Sequence, residues 1–196
     1  MRTVIIYANP NPLGHCAHIL SETKKQLQEV GEAFVLIDLY KANYDPVMHA
    51  NEHYTNKGYD LSRQSMRFQN LIAESNKLIF IYPVWWNTMP AMMKGFFDKV
   101  FTAKASFKYV KLPYLWFPIP KGLWTGKQAV VLQTTGARQW QTPFLGFRFK
   151  SIPTKDILGF CGVKAKAFDL NNCTSKAETR MPEIEKLVKK GLKWLY

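Results

Sequence analysis

Little in this chain suggests covalent or metal chemistry. It has only three cysteines, Cys16, Cys161 and Cys173, with no Cys-x-x-Cys pair and no zinc spacing. An odd thiol count, with no secretion signal, predicts reduced cysteines and a cytoplasmic location. The opening MRTVIIYANP is too short an apolar run for a signal peptide, and no stretch approaches membrane-spanning length. Histidine is scarce, and His49 and His53 lie far from any carboxylate or cysteine pattern that would suggest a metal. There is no Walker loop, no GxGxxG, no internal repeat and no low-complexity tract. What is left is 196 residues with 47% hydrophobic content, read as one domain over 1–196 with room for a sizeable core.

Acidic residues are the other shortage. Formal net charge is +13, and between Asp98 and Asp156 there is neither Asp nor Glu. The same interval holds Lys99, Lys104, Lys108, Lys111, Lys121, Lys127, Arg138, Arg148, Lys150 and Lys155. No nucleic-acid motif accompanies this charge. Two readings stay open, a solvated basic face and a field that attracts phosphate-bearing small molecules.

The rest of the chain is patterned as strands alternating with helices. Thr3 to Ala8 is a β-branched first strand that breaks into the punctuated loop Asn9 to Gly14, and a helix starts near His15. Ala33 to Leu39 reads as strand two, Arg63 to Asn76 as helix two, Leu78 to Tyr82 as strand three, stopped by Pro83. Pro90 opens a helix whose Met92, Met93, Phe96, Phe97, Val100 and Phe101 recur at helical spacing. Gln128 to Gln133 is strand four, Asp156 to Cys161 a short helix ended by Gly162, Lys164 to Leu170 strand five, and Met181 to Leu195 the closing helix. Tyr40 to Leu61 is a long polar loop. Ala103 to Gly126 is an irregular aromatic and basic insert whose prolines break any amphipathic helix. Five strands with intervening helices predict an α/β doubly wound parallel sheet, order 2-1-3-4-5, with helices on both faces. In that order the loops after strands one, three and four meet at the switch point where such sheets bind ligands.

Two adjacent tryptophans lie in the loop after strand three, and each could fill core or line a site. The segment YPVWWNTMPAMMKGFFDKVF resembles the loop-and-helix motif of the flavodoxin-like NAD(P)H:quinone oxidoreductases, the DT-diaphorase type and its bacterial relatives. That resemblance implies a flavin ring resting on the backbone of Pro83, Val84, Trp85, Trp86 and Asn87. Relatives carry a His-Pro-Asn-Pro-x-Ser-like first loop. Here Asn9 and Gly14 replace the His and the Ser, which leaves backbone contacts from Gly14, His15 and Cys16 to a phosphate at the helix start. Thr134, Thr135, Gly136 and Ala137 resemble the relatives' Thr-Thr-Gly-Gly, whose N–H groups face the pyrimidine edge of the flavin. The implied cofactor is FAD, with FMN the alternative, and NAD(P)H is the co-substrate. The implied assembly is a homodimer with the insert's aromatics near the site.

Relatives also place a Tyr and a His soon after that loop. This chain has no His after His53 and no Tyr between Tyr114 and Tyr196, so those roles do not carry over and Arg138, Gln139 or Gln141 are the remaining donors. Three functions fit. The first is an NAD(P)H oxidoreductase acting by ping-pong on quinones or on nitro and azo compounds. The others are an electron-transfer flavodoxin, usually acidic, and a regulatory subunit of a membrane transporter.

Overall fold

The computed structural model describes residues 3–141, 143–144 and 146–196. A five-stranded sheet runs β2 (Phe34–Asp38), β1 (Thr3–Tyr7), β3 (Lys77–Pro83), β6 (Gln128–Thr134), β7 (Lys164–Leu170). All four pairings are parallel. Leaving out the two insert strands, this is the order 2-1-3-4-5 that the sequence predicts. The central strands are buried on both faces, which is why they read as apolar runs rather than alternating ones.

Alternate residues of those runs feed two cores. Ile5, Ile79, Ile81, Val130 and Leu132 point to α1 (His15–Glu29) and α5 (Met181–Leu195). Val4, Ile6, Leu78, Phe80 and Val131 point to the opposite face, under α2 (Arg63–Glu74) and α3 (Ala91–Val100). α3 buries Met93, Phe96, Phe97 and Val100, and its rings meet in tilted and edge-on pairs, with Phe101 and Trp124 centred 4.7 Å apart. Buried Lys127 closes the end of α2, its Nζ donating to the carbonyl oxygens of Ala73 (2.7 Å) and Ser75.

Three local expectations need correction. The insert is not irregular throughout: β4 (Phe107–Val110) and β5 (Ile119–Gly122) form an antiparallel ribbon. Gly122 permits it, since a Cβ there would lie 2.3 Å from the backbone of Cys161 and Gly162. The short helix begins earlier than Asp156. α4 (Arg148–Ser151) runs into a π-helical stretch, Ile152–Gly159, and Gly162 at φ +86° follows it. Pro83 does not stop β3 but is its last residue, opposite Thr134, where its missing N–H costs little because the Val84 amide next donates to Thr134 O at 2.7 Å. Among the described residues, no helix is long and apolar enough to cross a membrane.

Candidate functional site

The loops after β1, β3 and β6 converge at the carboxyl end of the sheet around a pocket of about 300 Å³. Larger clefts lie elsewhere, so convergence rather than size singles this one out. Asn9, His15, Cys16, Pro83, Val84, Trp85, Thr134, Thr135 and Gly136 line it, all of them singled out by the sequence. Pro10, Asn11 and Cys173 line it as well. The repeated Asn-Pro was the available signal for Asn11; nothing local pointed to Cys173, which long-range pairing brings in. Gly14, Trp86, Asn87 and Ala137 do not line the pocket, although Gly14 adjoins it between Asn11 and His15.

At one end is a cradle of donors. Gly14 opens α1 without a side-chain cap, and no acidic residue occupies the first turn. Asn9 and Asn11 hold the loop through side-chain to backbone bonds, including Leu13 N to Asn11 Oδ1 at 2.9 Å. A Cβ on Gly14 would meet the amide nitrogens of Asn11 and Asn9 at 3.2 and 3.3 Å, so two donors crowd the space above that glycine. His15 Nε2 is buried and has no partner among the described residues. Such an arrangement suits a phosphoryl group.

Burial holds the His15 imidazole below its ordinary value of 6.5, helped by the charges of Arg180 and His18 and opposed by Glu178. An anion in the cradle favours the protonated ring, so anion affinity should rise as pH falls through that lowered pKa. Sulfate keeps its charge over the interval and is the cleaner probe. Its affinity, followed by calorimetry, should strengthen about tenfold, and the pH dependence should vanish in His15→Gln. A flat profile in the unaltered chain would mean His15 does not face the anion.

The cysteines are floor, not nucleophiles. Cys16 Sγ lies 3.2 Å from Thr134 Oγ1, and burial pushes its thiol up to about 12. Cys173 Sγ donates to Leu170 O at 3.2 Å, with its thiol pushed by burial to about 11. Both stay protonated at neutral pH. For Cys16 this leaves the backbone N–H, at the helix start, as the group free to meet a ligand.

At the other end, Trp85 and Thr88 exchange both backbone bonds, at 2.9 and 3.0 Å. Trp86 and Asn87, at φ +51° and +58°, form the two-residue turn between them, with the geometry of a type I′ hairpin. This turn sends the rings apart. Trp85 is 44% exposed and faces the pocket, whereas Trp86 is 98% exposed, so neither fills core. A tryptophan held at positive φ is strained by about 1–3 kcal/mol, a cost found mostly at binding sites.

The amide rim is narrower than the resemblance implies. Thr135 N donates to Leu170 O (2.9 Å) and Ala137 N to Thr135 Oγ1 (3.1 Å), because the loop is laced to the chain after β7. The Gly136 and Trp86 amides are the ones left without an acceptor among the described residues. Beneath, buried Gln133 donates from Nε2 to Tyr82 Oη and Phe149 O, both at 2.8 Å, and so ties the segment after Gly136 to the sheet.

A family model described as flavodoxin-like fold matches residues 1–195. The chain belongs to that family. Among relatives of this flavodoxin-like chain, the uncharacterized NAD(P)H oxidoreductase YcaK of Escherichia coli K12 is 29% identical over 101 residues, 50% of this chain and 52% of that protein. The chain spans about half the length of the first curated relatives it matches. The FMN-dependent NADH:quinone oxidoreductase of Coprothermobacter proteolyticus is 25% identical over 205 residues, 94% of this chain and 98% of that one. The crystal structure of Smu.1420 from Streptococcus mutans UA159 superposes with a TM-score of 0.81 at 28% identity, covering 97% of this chain and all of that one.

Proposed function

We propose that this flavodoxin-like protein is a flavin-dependent oxidoreductase that passes two electrons from NAD(P)H to a quinone or similar flat acceptor. The observation that carries the reading is the pocket itself, with an anion cradle at Asn9, Asn11 and His15 beside Gly14, a flat ring at Trp85 and an open amide at Gly136. Of the two flavins, FMN is the better choice. The sequence resemblance ranked FAD first, but a relative that matches nearly the whole chain is named FMN-dependent.

Bound there, a flavin supplies acceptance of hydride from the nicotinamide and its delivery to the acceptor. The chain's own work is to bind and orient. The cradle would hold the phosphate, the Gly136 N–H would meet the polar edge of the ring system, and the Trp85 ring would lie against it. A donor and an acceptor admitted to the pocket in turn would follow a ping-pong order. The protonated thiols beneath take no covalent part. Large groups left exposed on the insert, Tyr114 at 94% and Trp116 at 90%, favour a homodimer that covers them.

Purified protein should be yellow, release FMN on heating and bleach on adding NADH or NADPH. Trp85→Ala should weaken flavin binding three- to tenfold, matching about 1 kcal/mol of stacking, with the urea midpoint nearly unchanged. Trp86→Ala should change neither. A colourless protein that takes up neither FMN nor FAD would remove the reading.

A further inference from the structure

A second cleft, of about 540 Å³, runs along the outer edge of β7, the last strand of the sheet. Lysines from three elements reach into it: Lys166 on β7, Lys190 on α5 and Lys150 on α4. The Nζ atoms of Lys166 and Lys190 lie 5.5 and 5.6 Å from the centre of the same ring, Phe168. Asp169 is the one carboxylate among the described lining residues, and Lys150 takes it in an ion pair. Two ammonium groups on one ring therefore face the cleft, while the lining carboxylate, Asp169, is taken by Lys150. A lysine that merely blunts an exposed sheet edge would account for Lys166, but not for Lys190, which comes from a helix. Convergent like charge of this kind is relieved by an anion.

A short segment joins the cleft to the candidate flavin pocket, since Asn171 lines the one and Cys173 the other. The Asn171 Oδ1 is buried without a donor among the described residues. The next two amides, of Asn172 and Cys173, donate to Ala137 O and Thr135 O, on the rim of the flavin pocket. From Leu170, paired with Thr134 at that pocket, back to Lys166 is four strand residues, roughly 13 Å. That is the order of separation between the nicotinamide and adenosine ends of an extended dinucleotide.

We propose that this cleft receives the adenosine 2′-phosphate end of NADPH and makes the chain prefer NADPH to NADH. This rests on the oxidoreductase reading above. Lys166 and Lys190 hold the 2′-phosphate, and Asn171 Oδ1 accepts from a ribose hydroxyl or the adenine amine. The half-exposed ring of Phe147, also on the cleft, lies against the base.

The test is calorimetry on the full chain with adenosine 2′,5′-bisphosphate, adenosine 5′-monophosphate and inorganic phosphate, alongside steady-state kinetics. The bisphosphate should bind at least about tenfold tighter than either of the others. In Lys166→Ala/Lys190→Ala, two exposed positions whose truncation leaves the cores intact, that margin should disappear. The ratio of kcat/KM for NADPH over NADH should fall about tenfold in the same variant. Equal binding of the two adenosines, inorganic phosphate binding as well as the bisphosphate, or a preference that survives the double variant would each overturn the proposal. Equal reduction of bound flavin by NADH and NADPH would overturn it and leave the oxidoreductase reading standing. A chain that takes up no flavin removes that reading instead, while the difference between the unaltered chain and Lys166→Ala/Lys190→Ala, which leaves the anion cradle untouched, still decides the cleft.

Discussion

Lys99→Met should cost about 3–5 kcal/mol of stability and loosen the long segment between β2 and α2. Lys99 is 1% exposed, on the inner side of α3. Its Nζ reaches Glu52 Oε2 at 2.8 Å and the carbonyl oxygens of Asp45 and Val47 at 3.0 and 2.9 Å. All three donors of the ammonium are thus used, and all three acceptors belong to that segment. Glu52 in turn accepts from the backbone of His49 (3.1 Å) and Ser62 (3.4 Å), so one buried ion pair organises the whole excursion. Without the lysine, a buried carboxylate and two carbonyls lose their donor. Lys99→Met/Glu52→Leu should recover much of the loss, because the pair costs a great deal to desolvate. Urea midpoints of the three proteins give the comparison, and a single-variant loss below about 1 kcal/mol would mean the segment is held some other way.

The same pair sets an acid limit. Burial pushes Glu52 up, but the hydrogen bond from Lys99 and those from the His49 and Ser62 amides outweigh it and hold the carboxyl below its ordinary 4.5. A folded pKa below the unfolded one means stability that is present above about pH 4.5 and lost as pH falls through the folded value. Unfolding followed from pH 6 to pH 3 should show that loss in the unaltered protein and a smaller one in Lys99→Met/Glu52→Leu.

The parts of the structure legible in the sequence are those whose physics is local. β1, β3 and β6 are buried on both faces and announce themselves as apolar runs. Lys164–Leu170 and Met181–Leu195 match their sequence expectations end to end, because a glycine or a proline punctuates each. Convergence of three loops on one pocket followed from strand order alone. What could not be read depends on partners distant in the chain. The ribbon β4–β5 lacks alternation and carries a proline opposite Tyr109, so nothing short of the pairing itself reveals it. The Thr135 and Ala137 amides looked available until Leu170 and the Thr135 hydroxyl took them. Trp85 and Trp86 are equivalent in sequence, and only two consecutive positive φ angles decide which ring meets a ligand.

Gly95→Ala should destabilise the protein by about 2 kcal/mol, against what helix propensity alone would give. Gly95 is in the middle of α3, where alanine is ordinarily better by about 1 kcal/mol. Here a Cβ would stand 2.1 Å from the carbonyl oxygen of Pro46, 2.5 Å from its Cβ and 2.6 Å from its Cα. Backbone cannot swing aside as a flexible side chain would, so either α3 or the segment around Pro46 must move, and overpacking of that kind costs about 1–3 kcal/mol. α3 is fixed from the other side by Met93, Phe96 and Phe97 in the core, so the segment yields. The contacts from Lys99 to Asp45 and Val47, one helical turn further on, would then stretch as well. Because the Trp85 turn precedes α3 and α3 stays in place, flavin affinity should change by less than about twofold, while hydrogen exchange across residues 43–53 should accelerate. A midpoint that rises would show that the segment gives way without cost. A large loss of flavin affinity with unchanged exchange there would show that the helix, not the segment, had moved.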